Sequence, residues 1–273
     1  MALSFVTRPS SAQEINRLRL FISTFGDGSG NQRGLDNTTR ADWRQLERCV
    51  AEFVGAVGGE NKEIFDVLAP DDSDCNLLYG LSVKSKQLPV RQFNSLGGNG
   101  RVYMEIANSP AKFFDALTNQ LGVSEEQFRM QRFPKEVGDT VLRTVELWHQ
   151  EGKSWIEEHY PAKQLLLNKS CYLSISLSKP ARQLPTRYQI HTFDLKYPNN
   201  LIWRYKSDKC LTGFESQFPD EPLVDWYALS GGQLKYYPRA SAARFASPVF
   251  TLETPAMLSI KQKAQTYFPG LFT

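Results

Sequence analysis

The chain has 273 residues, 41% hydrophobic and 12% aromatic, enough apolar material for one substantial core, or for one core with a smaller appended lobe. Residues 1–12 hold no apolar run of signal-peptide length, and no stretch approaches the roughly 18 apolar residues of a membrane span, so a soluble, cytoplasmic protein without a membrane partner is expected. A net charge of +3 argues against a polybasic, histone-like binder. Cys49, Cys75, Cys171 and Cys210 form no C-x-x-C pair, which argues against a structural zinc site and for free thiols in a reducing compartment.

In chain order, residues 26–34 form a glycine-rich polar loop with no P-loop lysine and no helix starting directly after it; it reads as a mobile loop, with DNA contact as the alternative. The first clear helix is expected over 40–57, with Thr39 as N-cap and Asp42 completing an approximate capping box. Trp43, Leu46, Val50, Phe53, Val54 and Val57 follow helical spacing and predict its buried face, within which Glu47 falls. An inward carboxylate is costly unless it pairs with an arginine or binds a cation. Residues 63–69 read as a short strand, 70–76 as a polar turn and 77–86 as a second strand. The alternation in this second strand sends Leu81 and Val83 to one side and Ser82, Lys84 and Lys86 to the other. After a glycine loop at 97–100 and a strand-like stretch ending near Glu105, Ser109 and Pro110 predict a helix over 110–121. Residues 125–160 look mainly helical. From Cys171 onward short alternating strands are expected at 171–178, 187–195, 201–205, 224–230, 233–237 and 248–253. With no internal repeat and no low-complexity linker, the pattern predicts one α/β domain over 1–273: a central mixed sheet flanked by helices, with a β-rich C-terminal half.

Hydrolysis of a phosphodiester needs carboxylates to hold a divalent ion and gains from a lysine that orients or deprotonates the attacking water. A bare acid-x-Lys is a weak signal, present as Glu60-x-Lys62, Glu151-x-Lys153 and Asp194-x-Lys196, of which only the last lies on an expected strand. The stronger pattern has Asp66 on one strand and Ser82-Val83-Lys84 on the next, with Asp194-x-Lys196 as its one serious rival. Here the chain resembles the PD-(D/E)XK nuclease superfamily, and among its type II restriction endonucleases the group recognising CCGG-containing sites. That group carries Ser-Val-Lys in place of acid-x-Lys and recovers a carboxylate from a downstream segment.

The resemblance covers about residues 40–120 and departs from the group in having no proline before Asp66 and a longer spacing from Lys84 to Glu105. It implies a restriction-endonuclease-like fold, catalytic roles for Asp66, Ser82, Lys84, Glu105 and Glu47, and Mg²⁺ held by Asp66 and Glu105. It further implies sequence-specific cleavage of double-stranded DNA to 5′-phosphate and 3′-hydroxyl ends by a homodimer. A DNA methyltransferase acting on the same site would be a functional, not physical, partner. The structural alternative for Lys84 is a lysine snorkelling from a strand edge.

Between Lys179 and Lys209 lie seven basic residues and two acids, with Tyr188, Trp203 and Tyr205 interleaved, and a second basic cluster follows Gly231-Gly232. Residues 171–255 thus read as a DNA-recognition part, with Arg187, Lys196, Arg204, Lys206, Gln233, Lys235 and Arg239 as candidate contacts. The alternative is ordinary solvated strand faces. Three other functions stay open: a nicking or repair nuclease, a non-catalytic DNA-binding module with a nuclease-like fold, and an enzyme built around His191 and Asp194.

Overall fold

The computed structural model describes residues 4–33, 39–57, 64–179 and 185–271. Glu60, Lys62 and Arg182 lie outside the described residues. Its helices are α1 (Ala12–Ser23), α2 (Trp43–Val54), α3 (Val90–Ser95), α4 (Pro110–Leu121), α5 (Glu125–Arg129), α6 (Pro134–His159) and α7 (Ile260–Tyr267). The strands up to the middle of the chain are β1 (Gln32–Arg33), β2 (Thr39–Arg40), β3 (Val67–Pro70), β4 (Leu77–Leu88), β5 (Met104–Asn108), β6 (Gln164–Leu165) and β7 (Cys171–Ser178). There follow β8 (Arg187–Asp194), β9 (Ile202–Ser207), β10 (Cys210–Phe214), β11 (Pro222–Tyr227), β12 (Gln233–Tyr236), β13 (Phe245–Ala246) and β14 (Phe250–Thr251).

The protein is mixed α/β, with a central mixed sheet flanked by helices and a second half dominated by strands. The central sheet runs β13-β8-β7-β4-β3, with β6 added beside β4 and β14 beside β8. Its neighbours are antiparallel except β4 with β7 and with β6, which are parallel. Return of the chain from β4 to a parallel β7 requires a long crossover, which carries α3 to α6. The period-2 alternation gives this sheet two apolar faces. Val67, Ala69, Leu81, Val83, Leu173, Ile175 and Ile190 pack under α1 and α2. Leu68, Leu78, Tyr172 and Phe193 join a second core with α4, α6 and the inner face of the other sheet.

That other sheet is antiparallel, in the order β5-β12-β11-β10-β9. Met104, Ile106, Leu234, Trp226, Val224, Leu211 and Trp203 form its buried face, which meets Phe113 and Phe114 of α4 and Val137, Val141 and Val145 of α6. At Gly138 of α6 a Cβ would stand 2.1 Å from the Trp203 ring, so glycine is what lets that helix close onto β9. None of the described helices is long and apolar enough to cross a membrane.

Several expectations need correction. Helix α2 begins at Trp43 rather than at 40, because Asp42, not Thr39, caps it: Asp42 accepts from the Gln45 N–H at 2.9 Å and its own N–H donates to Gln45 Oε1 at 3.0 Å. Gly55, at φ 62°, ends the helix. The buried face is therefore Leu46, Cys49, Val50 and Val54, while Trp43 is 54% exposed and Glu47 stands half-buried on the flank. Residues 26–33 of the glycine-rich loop lie against β2 and the start of α2: a Cβ on Gly30 would meet the Arg40 carbonyl, and Asn31 donates to Asp42. The stretch 248–253 contributes only the two residues of β14, whereas α1, α3, α7, β10 and the two-residue strands β1, β2, β6 and β13 have no counterpart among the expected elements. Helix α4 covers the expected residues, although the Ser109 side chain makes no capping bond.

Candidate active site

Asp66 stands one residue before β3, and its backbone N–H donates to the Leu81 carbonyl of β4 at 3.0 Å. The hairpin thereby carries the carboxylate over the middle of β4. There, three consecutive residues converge on one oxygen: Asp66 Oδ2 accepts from the Val83 N–H at 2.7 Å, from Lys84 Nζ at 3.1 Å and from Ser82 Oγ at 3.4 Å. The Lys84–Asp66 ion pair is partly shielded, with side-chain exposures of 18% and 26%. Lys84 thus does not snorkel away from the strand edge; it is held across the hairpin. Ser82 is buried and buttresses Asp66 from below.

Asp66 and Lys84 open onto a cleft of about 510 Å³ that Glu47 of α2 and Glu105 of β5 also line, together with Trp43 and Lys86. Helix α2 contributes Glu47 because its apolar face lies on the sheet and turns the adjacent flank toward the end of β4. Strand β5 contributes Glu105 because Met104 and Ile106 point into the core, so that the residue between them points out. Of the sequence-derived set, Asp66, Lys84, Glu105 and Glu47 thus share one cleft, with Ser82 beneath it.

One neighbour escaped the sequence reading. His149 of α6 is buried, with its ring 5.6 Å from that of Phe65 and its Nε2 3.4 Å from the Tyr172 hydroxyl. Burial, reinforced by the charge of Lys84, pushes it down to about 4, so it is neutral at pH 7. The signal was there: His149 falls in the buried register of Val141, Val145, Gly152 and Ile156 on one face of α6.

The donors facing the cleft are carboxylate oxygens, which suit a hard cation. Among the described residues no three His, Cys, Asp or Glu side chains cluster closely enough to cage a metal. Mg²⁺ is commonly held by one or two carboxylates plus water and substrate phosphate, and Asp66 and Glu105 are carboxylates of that kind on the cleft.

From Glu105 a polar row crosses the outer face of the second sheet. In register, Glu105 stands beside Lys235, Lys235 beside Asp225, Asp225 beside Thr212 and Thr212 beside Arg204. Buried Asp225 anchors the middle, accepting from Thr212 Oγ1 at 2.5 Å, with Lys206 Nζ 3.8 Å away. Lys235 lies over the Tyr227 ring at 4.3 Å and Arg204 over Phe214 at 5.3 Å. Gln233, half-buried, borders the same row on β12.

The remaining candidates lie apart. Arg187 bonds Asn94 at 2.7 Å and stacks on Phe93, and Arg239 is engaged by Glu221 at 2.7 Å and lies 3.7 Å over Phe218. Lys196 lines a separate cleft of about 740 Å³ with Asp194, Glu146 and His149. His191 is buried in the central sheet with its ring flat against Phe193, away from Asp194, which is held by Arg244.

Compared with family models, with curated proteins and with solved structures, the chain matches none.

Proposed function

We propose that this chain is a Mg²⁺-dependent endonuclease for double-stranded DNA, of the restriction type and with a restriction-endonuclease-like core. The observation that carries the reading is the convergence of Ser82, Val83 and Lys84 on Asp66 Oδ2 inside a cleft that Glu105 and Glu47 also line. A lysine held beside a carboxylate, with further carboxylates facing the same space, is what phosphodiester hydrolysis calls for.

In this reading Asp66 and Glu105 hold the ion, which when bound offsets charge on the phosphate and acidifies a water. The protein side chains do the rest. Lys84 donates to the attacking water and to the scissile phosphate, and Asp66 fixes the ammonium in place. The buried Ser82 hydroxyl and the Val83 N–H keep Asp66 from rotating. Lys86 at the cleft and Lys235, Arg204 and Lys206 along the adjoining sheet grip backbone phosphates, leaving Gln233 to meet a base edge. The products are 5′-phosphate and 3′-hydroxyl ends.

The test is digestion of plasmid and phage DNA with and without Mg²⁺, wild type against Lys84→Ala. Discrete Mg²⁺-dependent fragments, reduced about 10²–10⁴-fold in rate by the substitution, are expected. DNA bound but left intact by the wild type would replace the enzyme with a binding module. A smear instead of fragments would replace it with a nuclease of low sequence specificity.

A further inference from the structure

Eight buried side-chain nitrogen or oxygen atoms among the described residues have no hydrogen-bond partner. Four of them, Ser174 Oγ, Ser176 Oγ, Gln189 Oε1 and His191 Nδ1, stand together on β7 and β8. The others belong to Arg40, Arg101, Trp226 and Arg239, none of them in the central sheet. In register, Lys84 stands beside Ser174 and Ser174 beside His191, while Lys86 stands beside Ser176 and Ser176 beside Gln189. Residues paired in register share a face of the sheet, so these six form one polar strip across three strands. It starts at Lys84 and Lys86 on the wall of the cleft and runs inward, where Ser174 and Ser176 are fully buried.

Buried polar groups without a partner in the chain are ordinarily met by a bound water or ion. Here the chemistry selects water. A cation would stand beside Lys84 and Lys86. An anion would face Gln189 Oε1, which can only accept, because the Nε2 of the same amide already donates to the Ser247 carbonyl at 3.1 Å. Water both donates and accepts, as two hydroxyls, an amide oxygen and an imidazole nitrogen require. Serine is also much shorter than the lysine and histidine on either side, so the strip is lowest over β7. From Lys84 to His191 is two strand spacings, roughly 10 Å, which about three hydrogen-bonded waters span.

We propose that a file of buried waters lies along Ser174, Ser176, Gln189 and His191 and carries away the proton of the water that attacks the phosphate. The proton role rests on the nuclease reading; the water site does not. Lys84, as a donor to the attacking water, leaves that water's own proton without an acceptor, and bound duplex would displace bulk water from the cleft mouth. As the water oxygen bonds to phosphorus and the bond to the 3′ oxygen breaks, the water's O–H bond breaks and its proton passes to the nearest water of the file. Each water hands on one proton, and one leaves to solvent beyond His191, whose register partner Ala246 on β13 is exposed. The 3′ oxygen takes its proton from a cleft water. Burial pushes His191 down to about 4, so it passes a proton on instead of keeping it.

A high-resolution crystal structure of the wild type without DNA or metal tests the site. Ordered waters within about 3.2 Å of all four atoms are expected, and a dry strip would overturn the proposal. Single-turnover cleavage in mixtures of light and heavy water tests the role. The wild-type rate should follow deuterium content along a curve, because several protons move together. Ser174→Val, which fills the space of a water, should straighten that curve and lower the rate about 10²-fold, with its fold verified by circular dichroism. Ser174→Ala, which removes the hydroxyl but leaves the space, should lose less. A straight line for the wild type, or an unchanged rate in a folded Ser174→Val, would overturn the proton role. DNA left intact by the wild type would end that role together with the nuclease reading, and the crystal structure would still decide the water site.

Discussion

Two clefts in this protein are each lined by a lysine and an aspartate, and they differ in what holds the aspartate. In the cleft at the β3–β4 hairpin, Asp66 is gripped by the lysine itself and by the backbone beside it. In the cleft beyond β8, Asp194 is the last residue of its strand and is claimed by Arg244, which also donates to the carbonyls of Val6 and Lys169. Lys196 lies past the strand end and has no side-chain partner among the described residues. Asp194-x-Lys196 has the acid-x-Lys spacing, yet its acid serves as a structural clasp. Ser82-x-Lys84 lacks the acid in that position and obtains one from the neighbouring strand. Spacing along one strand counts for less than which neighbour reaches across to it.

The contrast is sharpest in activity. Lys84→Ala should lower the single-turnover cleavage rate by about 10²–10⁴-fold, whereas Lys196→Ala should leave it within about twofold. Equal losses would erase the distinction between the clefts.

Acid stability comes next, because His149 lines the second cleft and feels the charge of Lys84 from the first. Burial, with the charge of Lys84, pushes His149 down to about 4, and burial does the same for His191. Each is protonated more readily in the unfolded chain, which therefore binds more protons between about pH 6.5 and 4. Their neutral forms support the fold fully above pH 6.5, and that support is lost as pH falls toward 4, on the order of 3 kcal/mol for each. Urea unfolding at pH 7 and pH 5 should show His149→Phe losing less stability on acidification than wild type. The carboxylate of Glu14, held down at about 2 by Arg8, would give way only at lower pH, so the two sources separate by window.

A smaller effect is expected at the clasp. Arg244→Ala should cost about 1–3 kcal/mol in thermal or urea unfolding, by stranding the carbonyls it serves, with cleavage at permissive temperature unchanged. A large loss of cleavage by this folded variant would return the second cleft to consideration. Smallest is the outer row: Lys235→Ala should reduce the slope of log affinity against log salt by about 1 in a duplex-binding titration. An unchanged slope would remove that face from the DNA-contacting surface.

Much of this architecture was legible in the chain. The alternation of Leu81 and Val83 against Ser82 and Lys84 gave β4 its two faces, Pro110 marked the start of α4, and residues 171–178 read directly as a strand. These signals are local, since side-chain alternation and helix starts depend on neighbours in sequence. The start of α2 was misread because Thr39 and Asp42 are both competent caps, and only the reciprocal Gln45 bond selects Asp42.

The sequence by itself determined which residues alternate across β4 and where α4, most of α6 and most strands from β7 onward broadly fall, and it offered Asp66, Lys84, Glu105 and Glu47 as candidates for one site. Tertiary structure decided that these four share a cleft, that Asp194 belongs to Arg244, that His149 is buried within reach of the Lys84 charge, and that apolar side chains at residues 257–271 stay exposed. The physical reason is range. Propensity and alternation act over a few residues, whereas burial, ion pairing and cleft formation depend on elements that only a folded chain brings together.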